Sequence, residues 1–226
     1  MTMIQQPDPI GKKALFGDRR QAAQLLAGLL EPFRDTDAVV LAVPRGGVPV
    51  GNVIARQLNL PMEVLSCRKI THPGDRSQSI GSVSLQDVVI HDSDRDIPQE
   101  YIQYNISRLR ASLRREARKY NRDKAVSNLH GKTLIVVDDW LGTGDTVLAG
   151  LKGLRRQKPA QIIVGAPIVT TKAYKAISGQ ADEVVFVVLD DAARPPSHKY
   201  FPPVSDEEVL RLVNLRENVE TAAKDT

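Results

Sequence analysis

Apolar positions along the chain fall into two periods, one helical and one typical of buried strands. After Asp18, a side chain suited to capping a helix, Ala22, Leu25, Leu26, Leu29 and Leu30 lie on one helical stripe, and Pro32 marks the exit. The unbroken apolar run Ala38–Val43 predicts a strand buried on both faces, ending at Pro44-Arg45-Gly46-Gly47. Val48–Leu58 is then predicted helical, with Pro49 and Gly51 tolerated in its first turn, and Met62–Ile70 is predicted as one further strand. The polar stretch Thr71–Gln78 reads as a flexible loop, followed by a hairpin of Ile80–Ser84 and Val88–His91. Pro98–Asn121 is the longest predicted helix, with Ile102, Ile106, Leu109, Leu113 and Tyr120 along one side.

The second half repeats the alternation. Leu134–Val137, Gln161–Val169 and Glu183–Leu189 are predicted strands, and Val147–Gln157 and Lys172–Ser178 predicted helices. Proline excludes regular structure from a loop at about 190–204, and Ser205-Asp206-Glu207-Glu208 opens a last helix that Leu210, Val213 and Leu215 pack back. Such alternation predicts an α/β fold: a Rossmann-like, mainly parallel five-stranded sheet with helices on both faces, a small hairpin and flexible-loop insertion, and a C-terminal hood. The expected organisation is a loose arm over 1–15, a single domain over 16–218 and a tail over 219–226.

Composition adds boundaries. At 226 residues, 42% hydrophobic and 26% charged, the chain has the make-up of one soluble globular domain. No apolar run is long enough to span a bilayer, and the N-terminus lacks the apolar core of a signal peptide. The single cysteine, Cys67, sits in an apolar pattern and reads as a core filler, which fits a reduced, cytoplasmic location. A net charge of +4 suits anionic small substrates. Helix 98–121 carries Arg108, Arg110, Arg114, Arg115, Arg118 and Lys119, with Arg122 and Lys124 just beyond. This basic side is either a solvated face or an electropositive wall for phosphates or an acidic partner; nucleic acid is disfavoured because interleaved aromatics are lacking.

The chemistry concentrates in Thr133–Thr146, TLIVVDDWLGTGDT. A buried strand delivers two adjacent carboxylates, Asp138 and Asp139, then a Gly/Thr turn, Gly142-Thr143-Gly144-Asp145-Thr146, and a helix start. Free backbone N–H groups and the helix dipole make such a turn a phosphate cradle. Neither GxxxxGK[ST] nor GxGxxG is present. A plain buried strand with a capped helix and solvated aspartates is the bland alternative. Pro44-Arg45-Gly46-Gly47 is a second glycine-rich strand-to-helix turn, where Arg45 offers a bidentate fork and the glycines allow close backbone approach.

Together these turns resemble the two phosphate loops of type I phosphoribosyltransferases. More narrowly, PRGGVPV, then RK-x-x-x-PG with an IG-x-V strand, then DD-x-L-x-TG-x-T resembles a bacterial subgroup of unassigned acceptor specificity, over about Phe16 to Leu212. The resemblance implies that Asp138 and Asp139 hold the ribose hydroxyls of 5-phosphoribosyl-1-pyrophosphate (PRPP), directly or through water on magnesium. It implies that Gly142, Thr143, Gly144, Asp145 and Thr146 wrap the 5′-phosphate. Arg45, Gly46 and Gly47 would contact pyrophosphate, with Arg68 and Lys69 adding charge, so that Arg45, Lys69, Asp138 and Asp139 form the catalytic set. The implied reaction is Mg2+-dependent transfer of phosphoribosyl from PRPP to a small nitrogenous acceptor, with a loop after Lys69 closing over the centre. A homodimer is also what the resemblance suggests.

Three positions depart from the family pattern. Purine-salvage members carry Asp where this chain has Gly142, which disfavours a hypoxanthine- or guanine-type mechanism. Trp140 stands where an aliphatic residue usually touches the base, and either stacks on an acceptor or packs under the hood. Asp145 puts negative charge in the phosphate turn, either as a cap turned away or as a weakening of phosphate binding. The hood offers Tyr200 and Phe201 for stacking on the acceptor and His198 or Lys199 for bonding a carbonyl; His72 reads as a solvated loop side chain. A PRPP-sensing regulator with little or no catalysis is the alternative function. A metal-dependent hydrolase lacks the spread of ligands such sites need.

Overall fold

The protein is described here by a computed structural model covering residues 16–75, 78–85, 88–90, 97–121, 128–191 and 201–214. In chain order the elements are α1 (Arg19–Leu29), β1 (Val39–Ala42), α2 (Gly47–Gln57), β2 (Met62–Val64), β3 (Cys67–Thr71), β4 (Ser79–Ser84), β5 (Val88–Ile90) and α3 (Gln99–Asn121). There follow β6 (Thr133–Val137), β7 (Trp140–Leu141), α4 (Asp145–Arg156), β8 (Gln161–Val169), α5 (Thr171–Ile177), β9 (Glu183–Leu189) and a last helix, α6, over 206–214. No described helix is long and apolar enough to cross a membrane.

The main sheet is parallel. β2, β1, β6, β8 and β9 lie side by side in that order. β7 occupies the same line as β6: Val137 pairs with Gly165 and, after the two aspartates, Trp140 pairs with Ile168 in unbroken register. The expected five strand lines are therefore present, with one line interrupted at Asp138-Asp139. Successive side chains of a strand point to opposite faces, and this sheet uses both. Val39, Leu41, Leu134, Val136, Ile162 and Val164 pack under α4 and α5. Val40, Ile135, Val137 and Ile163 pack under α1 and α2.

Several boundaries differ from expectation. The apolar segment Met62–Ile70 is not one strand: β2 pairs with β1, whereas β3 pairs antiparallel with β4 in a separate three-stranded sheet with β5. The chain leaves the main sheet at Leu65, whose N–H still reaches Ala42 O at 2.9 Å. Gly150 of α4 then lets that crossing come close, because a Cβ there would stand 2.7 Å from Leu65 Cδ2. The small sheet buries Ile70, Ile80 and Val83 against Ile102, Ile106 and Leu113 of α3, so the predicted stripe of α3 faces the insertion as far as Leu113, whereas Tyr120 packs with Val48, Val64 and Val209.

Asp18 caps α1 by accepting from Gln21 N at 2.7 Å, but Leu25 is exposed and leaves the expected stripe to Ala22, Ala23, Leu26 and Ala27. Val209 and Leu212, more than Leu210 and Val213, anchor α6. His91, Arg122, Lys124 and Leu215 lie outside the described residues, as do most of the hood, including His198, Lys199 and Tyr200, and the expected arm and tail.

Candidate active site

In an open parallel sheet the chain reverses its direction of travel between two strands, and ligands bind outside their carboxyl ends. That point here lies between β1 and β6, since β1 leads outward to β2 and β6 starts the other half. The turns after these two strands are the two singled out in the sequence, and they touch. A Cβ on Gly46 would collide with the Asp139 carboxylate, and one on Gly47 would stand 2.5 Å from Val137 O and 3.0 Å from Asp138 Cα. Neither glycine can carry a side chain without separating the loops. The peptide between Pro44 and Arg45 is cis.

The aspartates sit at the break in the sheet line. Asp138 N–H donates to Gly165 O at 3.2 Å, and Asp139 N–H donates to Asp138 Oδ1 at 2.8 Å. Burial, and next the charge of Asp139, push the Asp138 carboxyl well above the ordinary carboxylate range. Asp139 Oδ2 receives Arg19, from Nε at 3.1 Å and Nη2 at 2.9 Å. Arg19 thus takes one oxygen of Asp139 and the Asp139 N–H one oxygen of Asp138, and the two carboxyl groups also lie within hydrogen-bonding reach of each other. Paired carboxylate oxygens of this kind are hard donors suited to hydroxyls or to magnesium-bound water. No cluster of three metal-ligating side chains occurs among the described residues, so a metal here would draw its remaining ligands from substrate and water.

The Gly142–Thr146 turn is built on Gly144. Its φ of 79° lies in the left-handed region, and a Cβ would also stand 3.0 Å from Ile177 side-chain carbons. This glycine precedes α4, which starts two residues earlier than its apolar pattern suggests, so Asp145 and Thr146 form its first turn. Thr143 Oγ1 donates to Asp145 Oδ2 at 3.0 Å, so the Asp145 carboxylate is held over the threonine instead of capping the helix. Thr146 O accepts from Cys67 Sγ at 3.4 Å, which ties β3 to the turn.

Trp140 and Gly142 prove to be one feature. The indole lies over the glycine, and a Cβ on Gly142 would overlap its ring. The space that a larger residue would occupy is filled by Trp140, whose buried Nε1 has no hydrogen-bond partner among the described residues. Of the other expected residues, Arg45 is exposed and pairs with Asp206 at 3.3 Å, a carboxylate that also holds Lys119 and Tyr120. Those two hydrogen bonds hold Asp206 below its ordinary range. Arg68 pairs with Glu116 of α3 at 2.6 Å, and its Nη1 donates to Cys67 O at 3.3 Å. Lys69 has no ion pair among the described residues. Phe201 is 5% exposed, with its ring against Phe16 and 5.1 Å below Arg19 Cζ, so it does not stand open for stacking on an acceptor.

Two residues of this site escape a reading of the sequence alone. Arg19 lies 120 positions before Asp139, in a segment whose only legible signal was helical. Thr170, buried, donates from Oγ1 to Gly142 O at 2.6 Å and accepts from Ala173 N at 3.1 Å, so it braces the phosphate turn and caps α5 together. The predicted strand Gln161–Val169, which ends just before it, was the only hint of it.

Glycine turns and an acidic pair are thus gathered at the carboxyl ends of a parallel sheet, the place where open α/β sheets bind their ligands. The chain belongs to the phosphoribosyl transferase domain family, whose model matches residues 17–197. Among solved structures it is similar to TT1426 from Thermus thermophilus, with 31% identity, a TM-score of 0.77, and coverage of 88% of this chain and 97% of that one. Relatives from two Mycobacterium tuberculosis strains, named as candidate phosphoribosyl transferases, are 28% identical over 209 residues. The match covers 88% of this chain but 46% of those relatives, so the chain spans about half their length.

Proposed function

We propose that the protein transfers the 5-phosphoribosyl group of PRPP to a small nitrogenous acceptor, with magnesium and with release of pyrophosphate. The observation that carries this reading is the packing of Gly46 onto the Asp139 carboxylate, which puts the two glycine turns within one ligand's reach. Asp138 and Asp139 accept from the ribose hydroxyls. Backbone N–H groups at the start of α4, with the Thr143 and Thr146 hydroxyls, take the 5′-phosphate. The Gly46 amide faces the pyrophosphate, while the Gly47 N–H holds the turn by donating to Val43 O at 3.0 Å, and Arg45 reaches the pyrophosphate on leaving Asp206. Lys69 adds charge from β3, and Trp140 forms the wall beside the acceptor. Magnesium, held through water on the acidic pair, would neutralise charge on the departing pyrophosphate.

In the reaction the acceptor nitrogen supplies a lone pair to the anomeric carbon as the bond to the pyrophosphate oxygen breaks, and the acceptor's proton is lost to solvent. Little covalent work falls to the protein; positioning and charge stabilisation do most of it. The test is pyrophosphate release from PRPP and magnesium across a panel of nitrogenous acceptors, with calorimetric binding alongside. Wild type is expected to bind PRPP and release pyrophosphate with at least one acceptor, and Asp139→Asn to lose PRPP binding while keeping its fold. Binding without turnover for every acceptor would make the protein a PRPP sensor. Undiminished PRPP binding by Asp139→Asn would refute the site.

A further inference from the structure

On the α1–α2 face of the sheet, a cavity of about 700 Å³ lies between α1, α2 and α6. That volume falls within the roughly 300–1,000 Å³ of small-molecule sites. Arg20 of α1, Arg56 of α2 and Arg211 of α6 line it. None of the three has an ion pair among the described residues. A solvated basic face is ordinarily laid along one helix, whereas these guanidiniums converge from three. Asn52, one helical turn before Arg56 and on the same face of α2, also lines the cavity. It is 7% exposed, and its Oδ1 is buried without a hydrogen-bond partner among the described residues. A buried amide oxygen left unpaired is costly, and rotation of the amide would turn either its oxygen or its NH2 group to a ligand.

We propose that this cavity is a second ligand site, for a small phosphate monoester that also carries hydroxyl or amino donors, such as a sugar phosphate or a nucleotide. The guanidiniums take the phosphate as forked donors, and Asn52 pairs with the polar part of the rest. Of the acidic groups in its wall, Asp18 is engaged in capping α1, which leaves Glu208 against three unpaired arginines. Arg19 closes the side toward Asp139, so the cavity adjoins the proposed PRPP site without sharing its glycine turns.

The experiment is calorimetric titration of ribose 5-phosphate, without magnesium, into wild type, R56A/R211A, T143V/T146V and N52L. Wild type is expected to bind two equivalents per chain, and R56A/R211A and T143V/T146V one each. Both arginines are exposed, so R56A/R211A is expected to keep the wild-type circular dichroism and melting temperature. N52L is expected to weaken the cavity's ribose 5-phosphate at least about tenfold while inorganic phosphate binds as before. Unchanged two-site binding by R56A/R211A overturns the proposal. So does inorganic phosphate binding the cavity as tightly as the ester, which would mark an anion surface without a ligand site. If T143V/T146V keeps both equivalents while R56A/R211A loses one, the cavity stands and the PRPP reading of the phosphate turn falls instead.

Discussion

Arg19 donates twice, from Nε and Nη2, to a single oxygen of Asp139, while its Nη1 donates to Pro202 O at 3.0 Å. One side chain at the start of α1 thus joins the acidic pair to the segment that re-enters after the hood. The pair is largely buried, with side-chain exposures of 12% and 20%. Removing one partner of such a pair leaves the other charge uncompensated. Arg19→Ala is expected to lower unfolding free energy by about 1–3 kcal/mol in urea titration. Arg19→Lys should recover less than half of that, because an ammonium cannot present the fork. Full recovery by lysine would mean that charge alone, without geometry, holds Asp139.

Trp140 and Gly142 are expected to behave as a coupled pair. Gly142→Asp drives a side chain into the indole and should cost about 2 kcal/mol or more, the scale of overpacking with an unpaired charge. Trp140→Leu opens the space, so the double substitution should be more stable than the sum of its parts by at least about 0.5 kcal/mol. Strict additivity in denaturant titrations would show that the two positions do not contact each other.

Gly144 and Gly131 both have positive φ, 79° and 72°, but only Gly144 has neighbours where a Cβ would sit. Gly131→Ala should cost about 1–2 kcal/mol from backbone strain alone. Gly144→Ala should cost more, since Ile177 must also shift, and should weaken phosphate binding because the turn moves with it. Equal melting temperatures for the two variants would argue against the Ile177 contact.

Burial pushes the Cys67 thiol up to about 12 from an ordinary 9.0. A thiol raised in the folded state contributes stability that is complete below the unfolded value and is lost as pH rises from 9 toward 12. Cys67 should therefore resist a thiol-specific disulfide reagent at pH 8 until denaturant is added. Relative to Cys67→Ala, wild type should lose stability between pH 8 and 10.5. Rapid labelling of native protein would place the sulfur at the surface.

Much of the frame was legible in the chain because strand and helix periods are local properties. Ala38–Val43, Gln161–Val169 and Glu183–Leu189 could be read from runs of β-formers, and Asp18 and Ser205 from their capping chemistry. Met62–Ile70 misled for the same reason: its apolar pattern is continuous, and the exchange of sheets at Leu65 depends on how closely α4 approaches. Leu25 fell on the stripe by spacing, but α1 rests on the sheet through Ala23, Leu26 and Ala27, so that edge of the stripe faces solvent. The partner of Arg68, Glu116, lies 48 residues away on α3, beyond the reach of any local pattern.

The sequence by itself determined the order of strands and helices, the two glycine turns and the acidic pair, because each depends on residues within a few positions of one another. Tertiary structure alone decided that Gly46 meets Asp139, that Trp140 fills the space over Gly142 and that Arg19 clasps Asp139. These contacts join residues brought together by parallel strand order, and no short-range pattern encodes a distance across a sheet.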